Sequence, residues 1–393
     1  MSYSVSRKRS LPMCSFIGSS SSNENLRIPK LSLSSDKNGS SLGQEPQDAD
    51  YVLPCLSDEI ETMILSRFPI SKHWKLCCLN NKYFNLMKSG EIYKIRRMIG
   101  LKESLVFMLA SGERNWCLLD GGFKSCKKLP IIPSDYKFEF GVKDSFSAGT
   151  HLFVSGMEMD GAVIWRYELT TNEWFKDPSM ITPRCRFATA SCDTFAYVAG
   201  GLEIENCIQV LNSAEKYNSE NQTWEKLPNM NQTRKSCSGC YLDNKFYVIG
   251  GQDEKDKDLT CGEFFDEMTN KWYLIPNMLK DIVLSSSRSP LIAVVNNELY
   301  TLDASSNEVK VYVKGTNSWK KLGFVPVRAD KLQGGWGVAF KSLGNELLVI
   351  GTTSNSCYTC LPHPDLEVLE WKQIVCGSGN HNPFIHNCAV MLA

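Results

Sequence analysis

The stretch Phe246-Tyr247-Val248-Ile249-Gly250-Gly251, followed by Phe265 and then Trp272, decides the fold. Four β-favouring residues ending in two glycines read as a strand running into a tight exit, because glycine supplies positive φ and lets neighbouring backbones approach closely. The aromatic and the tryptophan, with six residues between them, suit a hairpin whose two strands each carry one large packing side chain. The same order occurs one unit upstream as Ala196-Tyr197-Val198-Ala199-Gly200-Gly201, Tyr217 and Trp224.

Further out, the pattern becomes periodic. Trp174, Trp224, Trp272, Trp319 and Trp371 are 50, 48, 47 and 52 residues apart, a repeat length expected of propeller blades. Tyr167 and Tyr312 stand before Trp174 and Trp319 at the same gap as the other two pairs. Weaker strand copies are Leu152-Phe153-Val154-Ser155-Gly156, Leu299-Tyr300-Thr301-Leu302-Asp303 and Leu347-Leu348-Val349-Ile350-Gly351. An earlier copy, Val106-Phe107-Met108-Leu109, precedes Leu119 and Cys126 where the aromatic and tryptophan belong, which makes six units. The fifth unit has Asp303-Ala304 in place of the glycine pair.

These strands, glycine pairs and aromatic-tryptophan pairs resemble the kelch repeat, and the resemblance covers residues 101–393. It implies an all-β, six-bladed kelch β-propeller with one four-stranded sheet per blade. The first unit lacks an innermost strand, and one β-rich segment, 384–391, is left over at the other end of the chain. If that segment fills the gap, the ring closes and no strand edge is left unpaired.

Before the repeats, residues 51–100 form short apolar helical blocks. Ser57 is placed to cap a helix that has Asp58, Glu59 and Glu61 in its first turn, with Ile60, Met63 and Ile64 on one face. Phe68-Pro69 ends that helix, and Ser71 is placed to cap a second one carrying Trp74, Cys77 and Cys78. A third runs through Phe84 and Met87, and a last one has Ile92, Ile95 and Ile99 along a stripe ending at Gly100. Fifty residues in short helices cannot hide this many apolar side chains, so some face either the next domain or a second chain.

Leu53-Pro54-Cys55-Leu56-Ser57-Asp58-Glu59, then Ile64-Leu65, Arg67-Phe68-Pro69 and Trp74-Lys75-Leu76, resemble an F-box. The resemblance implies docking onto a Skp-family adaptor through Leu53, Pro54, Leu56, Ile60, Leu65 and Pro69. Together the two halves resemble a plant-type F-box/kelch-repeat protein. That implies the substrate-recognition subunit of an SCF-type ubiquitin ligase, with a target protein of unknown identity on the propeller and no chemistry or cofactor of its own. Two alternatives stay open: a kelch scaffold without ubiquitin transfer, and a metal-dependent propeller enzyme.

Composition bounds the remaining classes. Lys+Arg and Asp+Glu both total 43, so no global field attracts nucleic acid or an anionic membrane. Residues 1–50, with Ser19-Ser20-Ser21-Ser22, carry too few apolar side chains to repay ordering, and Arg7-Lys8-Arg9 reads as part of that solvated tail. No run suits a membrane span or a secretory signal, which points to the cytoplasm and/or nucleus. Sixteen cysteines there read as small buried hydrophobes. Nucleophile elbow, P-loop and dinucleotide motifs are missing from the sequence. Cys237 and Cys240 have zinc-knuckle spacing but fall in an expected strand, which aims them to opposite faces. Cys357, Cys360 and His363 fall in a proline-rich stretch read as a loop, where a metal site is geometrically open. The charged stretches Glu203-Ile204-Glu205-Asn206 and Asp253-Glu254-Lys255-Asp256-Lys257-Asp258 follow the glycine pairs and are candidate target loops.

Overall fold

The structure is a computed structural model that describes residues 57–393, apart from 120–122, 124–125, 206–208, 284–288, 328–336, 352–356, 367 and 375–384 and the side chains of Ser71 and Trp74. Leu53, Pro54 and Leu56 lie outside the described residues, as do the tail and Asn206.

Six four-stranded antiparallel sheets make the propeller. Five of them are meanders in chain order. Blade 1 is composite, because Ile385–Leu392 pairs with Ser104–Ala110, with Val390 across from Val106 and Ala389 across from Phe107. The leftover C-terminal segment therefore does supply the innermost strand, and the closing register is extended by Glu103 N to Ala393 O at 2.7 Å and Ala393 N to Glu103 O at 3.0 Å.

The periodic aromatics are direct cross-strand neighbours. Tyr167 faces Trp174, Tyr217 faces Trp224, Phe265 faces Trp272 and Tyr312 faces Trp319, with ring centroids 4.9 to 5.4 Å apart. Leu119 faces Cys126 at the same positions in blade 1. Such pairs stabilise the outer hairpin of each blade beyond their buried area.

Each tryptophan also reaches backwards. The indole Nε1–H donates to a carbonyl of the preceding blade: Trp174 to Pro130 at 2.8 Å, Trp224 to Pro178 at 3.0 Å, Trp272 to Pro228 at 2.7 Å, Trp319 to Met278 at 2.7 Å and Trp371 to Phe324 at 2.9 Å. In blades 2 to 5 one tryptophan thus packs its own hairpin and ties it to its neighbour, and in blade 6 Trp371 makes the same tie.

The glycine pairs are required by both conformation and space. Gly201 and Gly251 have φ of 97° and 90°, and a Cβ on them would lie 2.6 Å from Cys185 O and 2.5 Å from Lys235 O. Gly200 and Gly250, at φ 67° and 65°, complete the same turn. In these two blades a buried arginine reads the turn. Arg184 donates to Gly200 O and Ser213 O and meets Glu215 at 2.5 Å. Arg234 donates to Gly250 O and Cys261 O and meets Glu263 at 2.7 Å. Glu215 also accepts from Ile181 N and Thr182 N, and Glu263 from Asn231 N and Gln232 N. In blade 5, Asp303 instead pairs with Lys310 at 2.8 Å.

Four helices precede the ring: α1 (Asp58–Ser66), α2 (Ile70–Cys77), α3 (Asn81–Lys88) and α4 (Glu91–Met98). Ser57 caps α1 as expected, accepting from Ile60 N, and Asn80 caps α3. The second helix differs from its sequence reading, starting at Ile70 with Pro69 at the cap position rather than Ser71. A proline offers no capping side chain, so the cap comes from outside: Glu103 Oε2 accepts from Ile70 N at 2.9 Å. The stripe on α4 also differs. Ile92, Tyr93 and Arg96 are buried whereas Ile99 is exposed, because α4 rotates its longest polar side chain inward to gather carbonyls. Arg96 donates to Ser66 O at 2.8 Å and Phe68 O at 2.9 Å and pairs with Glu103 at 3.2 Å.

Glu103 is therefore a junction. Its carboxylate holds α2 and α4, while its backbone pairs with the closing strand. Ile70 and Tyr93 share a core with Leu105, Phe107, Leu152 and Tyr167 of blades 1 and 2. Arg97 to Glu220 at 3.6 Å and Lys102 to Asp193 at 3.0 Å add surface ties to blade 3. The short join from Arg97 to Ser104 is thus a fixed connection.

Candidate functional site

Two surfaces are left unused by the fold's own packing, and the first is the outer face of α1. Thr62, Leu65 and Ser66 point inward, with Leu65 packed against Met87 and Ile92. The two hydroxyls bond carbonyls within the helix, Thr62 Oγ1 to Asp58 O and Ser66 Oγ to Met63 O. Outward lie Ile60 at 50% exposure, Met63 at 41%, Ile64 at 44% and Phe68 at 44%. An ordinary surface helix turns its apolar stripe to the core and its hydroxyls to water. α1 does the reverse.

The helix is held in this orientation from its flanks. Lys82 of α3 bonds Asp58 at 2.8 Å and also Glu61, and Tyr83 donates to Glu61. These contacts hold the Glu61 carboxyl below the usual carboxylate range. At the far end Arg96 grips the carbonyls of Ser66 and Phe68. Behind α2, His73 uses both ring nitrogens, on Tyr93 OH and on Phe68 O, and burial pushes its pKa down to about 4.

Of the sequence-expected docking residues, Ile60 and Pro69 are exposed on this block and Leu65 is interior. Met63, Ile64 and Phe68 complete the open face. The helical spacing had marked Ile60, Met63 and Ile64 as one stripe, but only the packing shows which way it points.

The second surface is at the other end of the ring. In each antiparallel blade the turns joining strands 1–2 and 3–4 lie at one end and the 2–3 loops at the other. The helical block touches turns of the first kind, at Asp193 and Glu220. The opposite end carries the charged stretches and a short helix that the sequence reading missed, α5 (Tyr136–Phe140). Asp135 caps it by accepting from Phe138 N, and the same carboxylate accepts from Met159 N at 2.5 Å. Phe138 plugs inward over Gly156, where a Cβ would sit 2.7 Å from its ring. Tyr136 and Phe140 stay 66% and 84% exposed beside exposed Val142 and Met159.

The charged stretches are less open than their composition suggests. Asp253 Oδ1 accepts from Lys255 N and Lys257 N, Asp256 pairs with Lys235, and Asp258 accepts from Gln252. Glu203 is buried and bonded by Gln209. Glu254, Lys255 and Lys257 remain exposed.

The metal alternative is corrected by the backbone. Cys357–Cys360 is a strand, with Cys357 packed in the cluster of Val106 and Leu348 and Cys360 in that of Val349 and Tyr300. Strand alternation places the two thiols on opposite faces, while His363 stands exposed. Cys237 lies just before the strand Ser238–Leu242 and not in it as expected, yet it and Cys240 pack into different clusters, and burial pushes their thiols up to about 11 and about 12. Among the described residues no group of three His, Cys, Asp or Glu side chains is placed to hold a metal ion, and no helix is long and apolar enough to cross a membrane.

Comparison with known proteins follows the same division. The family model described as Kelch motif matches residues 183–231 and 233–279, the two blades with glycine pairs and buried Arg–Glu pairs. The F-box/kelch-repeat protein At3g27150 of Arabidopsis thaliana is 50% identical over 364 residues, covering 89% of this chain and 86% of its own length. F-box/kelch-repeat protein SKIP11 of the same plant is 36% identical over 367 residues, covering 89% and 77%. The solved structure of YjhT, at 15% identity, superposes with a TM-score of 0.50 over 69% of this chain and 95% of its own, a likeness of fold alone. With half its residues matched across nearly the whole length of such a relative, the chain belongs to the F-box/kelch-repeat family.

Proposed function

We infer that the chain is the substrate-recognition subunit of an SCF-type ubiquitin ligase, with a Skp-family adaptor on the outer face of α1 and a target protein on the far end of the propeller. The observation that carries this reading is the inversion of α1, with hydroxyls inside and Ile60, Met63, Ile64 and Phe68 outside. Family resemblance adds Leu53, Pro54 and Leu56 just before it. The chain performs no chemistry itself. Its contribution is proximity: two sites on one rigid body raise the effective concentration of target lysines at a ubiquitin-loaded enzyme held elsewhere. The Arg96–Glu103 junction supports that rigidity. The cytoplasm and/or nucleus is the proposed setting.

On the target side, the apolar group at α5 is the best anchor, since hot spots are enriched in aromatic side chains. Tyr136, Phe140 and Met159 fit that role better than the self-bonded loop at Asp253. The test is co-expression with a Skp-family adaptor. Wild type co-purifies with it, and Leu53→Ala with Pro54→Ala does not, while the propeller stays folded by circular dichroism. A wild-type chain that ignores the adaptor leaves a kelch scaffold and ends the ligase reading.

A further inference from the structure

Between the helical block and the propeller lies a cavity of about 290 Å³ that neither the docking face nor the target end uses. Its walls are apolar, from Ile70, Phe84, Met87, Leu105, Leu118 and Leu169. Its charged groups, among the described residues, are of one sign. Lys88 and Lys127 line it, and among the described residues no carboxylate does. Neither ammonium forms an ion pair or hydrogen bond among the described residues, and Lys88 rests only over the Phe84 ring at 4.6 Å. Both ammonium groups lie within electrostatic reach of the Cys77 thiol on the same wall. Lys88 and Lys127 are both exposed residues, and partial burial of the Lys127 ammonium lowers its pKa.

The remaining polar atoms are either spent or waiting. His73 is neutral with both nitrogens occupied, and Thr171 bonds Glu168. Thr170 Oγ1 is buried and has no hydrogen-bond partner among the described residues. An unmatched buried hydroxyl costs free energy that a suitable acceptor would return, and the two ammonium groups supply positive charge beside it.

We propose that this seam cavity binds a small hydrophobic monocarboxylate, its apolar body among Phe84, Met87, Leu105 and Leu118 and its carboxylate accepting from Lys127, Lys88 and the Thr170 hydroxyl. The chemistry selects an anion over a neutral isostere, because only a negative charge answers the two ammonium groups. The walls select an apolar body, and the volume limits it to a bicyclic or medium-chain acid. Because Ile70 and Met87 come from the helices and Leu105, Leu118 and Leu169 from the blades, the ligand clamps the block to the ring. It therefore raises the stability of their junction by mass action. The inference goes beyond the ligase reading and stands whether or not an adaptor binds.

The test uses the full-length chain with 2-naphthoate as probe and 2-naphthamide as its neutral isostere, read by isothermal titration calorimetry and thermal melting. The expected result is saturable one-to-one binding of the acid with a rise in Tm, and at least tenfold weaker binding of the amide. Lys127→Met is expected to weaken the acid tenfold or more and to erase its preference over the amide. Leu118→Trp, which fills the cavity, is expected to abolish binding of both. Absence of saturable binding, an amide as tight as the acid, or unchanged affinity in Lys127→Met each overturns the proposal.

Discussion

α1 and the blade strands follow opposite rules. In the strands the large side chains are inside: Tyr167, Tyr217, Phe153 and Phe246 are almost wholly buried, and the polar groups that accompany them are paired. In α1 Ile60, Met63 and Ile64 are outside, while the hydroxyls of Thr62 and Ser66 are inside beside Leu65. The propeller packs its large side chains within the chain, whereas α1 leaves Ile60, Met63 and Ile64 open to solvent. Substitutions in the two regions should therefore fail in different ways, stability being lost in one and association in the other.

The widest gap is expected at the buried ion pairs. Glu263→Ala leaves Arg234 charged, fully buried and still pointed at the carbonyls of Gly250 and Cys261. Removing one partner of such a pair costs about 3–5 kcal/mol. Chemical denaturation should show that loss, whereas a matching substitution on the outer face of α1, such as Ile64→Asp, should change stability by only about 0.5 kcal/mol.

A smaller effect is set by pH and is confined to the seam. Folded His73 titrates near 4, below the ordinary imidazole value of about 6.5, so the unfolded chain binds the extra proton between those values. The stability linked to it is fully present above about pH 6.5 and is lost as pH falls towards 4, by at most about 3 kcal/mol. Melting curves across that window should show the acid loss in wild type and a shallower one in His73→Asn.

Next comes the junction. Glu103→Gln removes the charge facing buried Arg96 and weakens the cap on α2, for an expected loss of about 1.5–3 kcal/mol. Hydrogen exchange should rise in α2 and α4 and stay unchanged in blades 4 and 5. The smallest effect is expected at the inter-blade ties, where Trp272→Phe keeps most of the packing but drops the bond to Pro228 O, for about 1 kcal/mol.

These two regions also differ in how much the sequence discloses. The propeller announces itself because a blade repeats one solution: the tryptophan serves hairpin and neighbour at once, so its spacing is held even where Gly-Gly has gone. The closing strand was legible by subtraction, to within one residue at each end. Pairs such as Arg184 and Glu215 were not, since thirty residues separate partners that only the blade geometry brings together. Cys357–Cys360 was misread as loop because Pro362 and Pro364 follow it closely, yet the prolines begin only after the strand ends. In α1 the periodicity gives a stripe but no direction. Which face is inward depends on α3, α4 and Glu103, whose grip on the helix has no local signature.

The most direct measurement is the affinity of a purified Skp-family adaptor for the wild-type chain and for Ile60→Asp with Ile64→Asp, with melting temperatures recorded on the same samples. The account predicts at least a hundredfold loss of affinity, about 3 kcal/mol, with the melting temperature nearly unchanged. Equal affinity for the two proteins, or a variant whose propeller no longer folds, would show that the outer face of α1 serves this chain's own structure and not a second one.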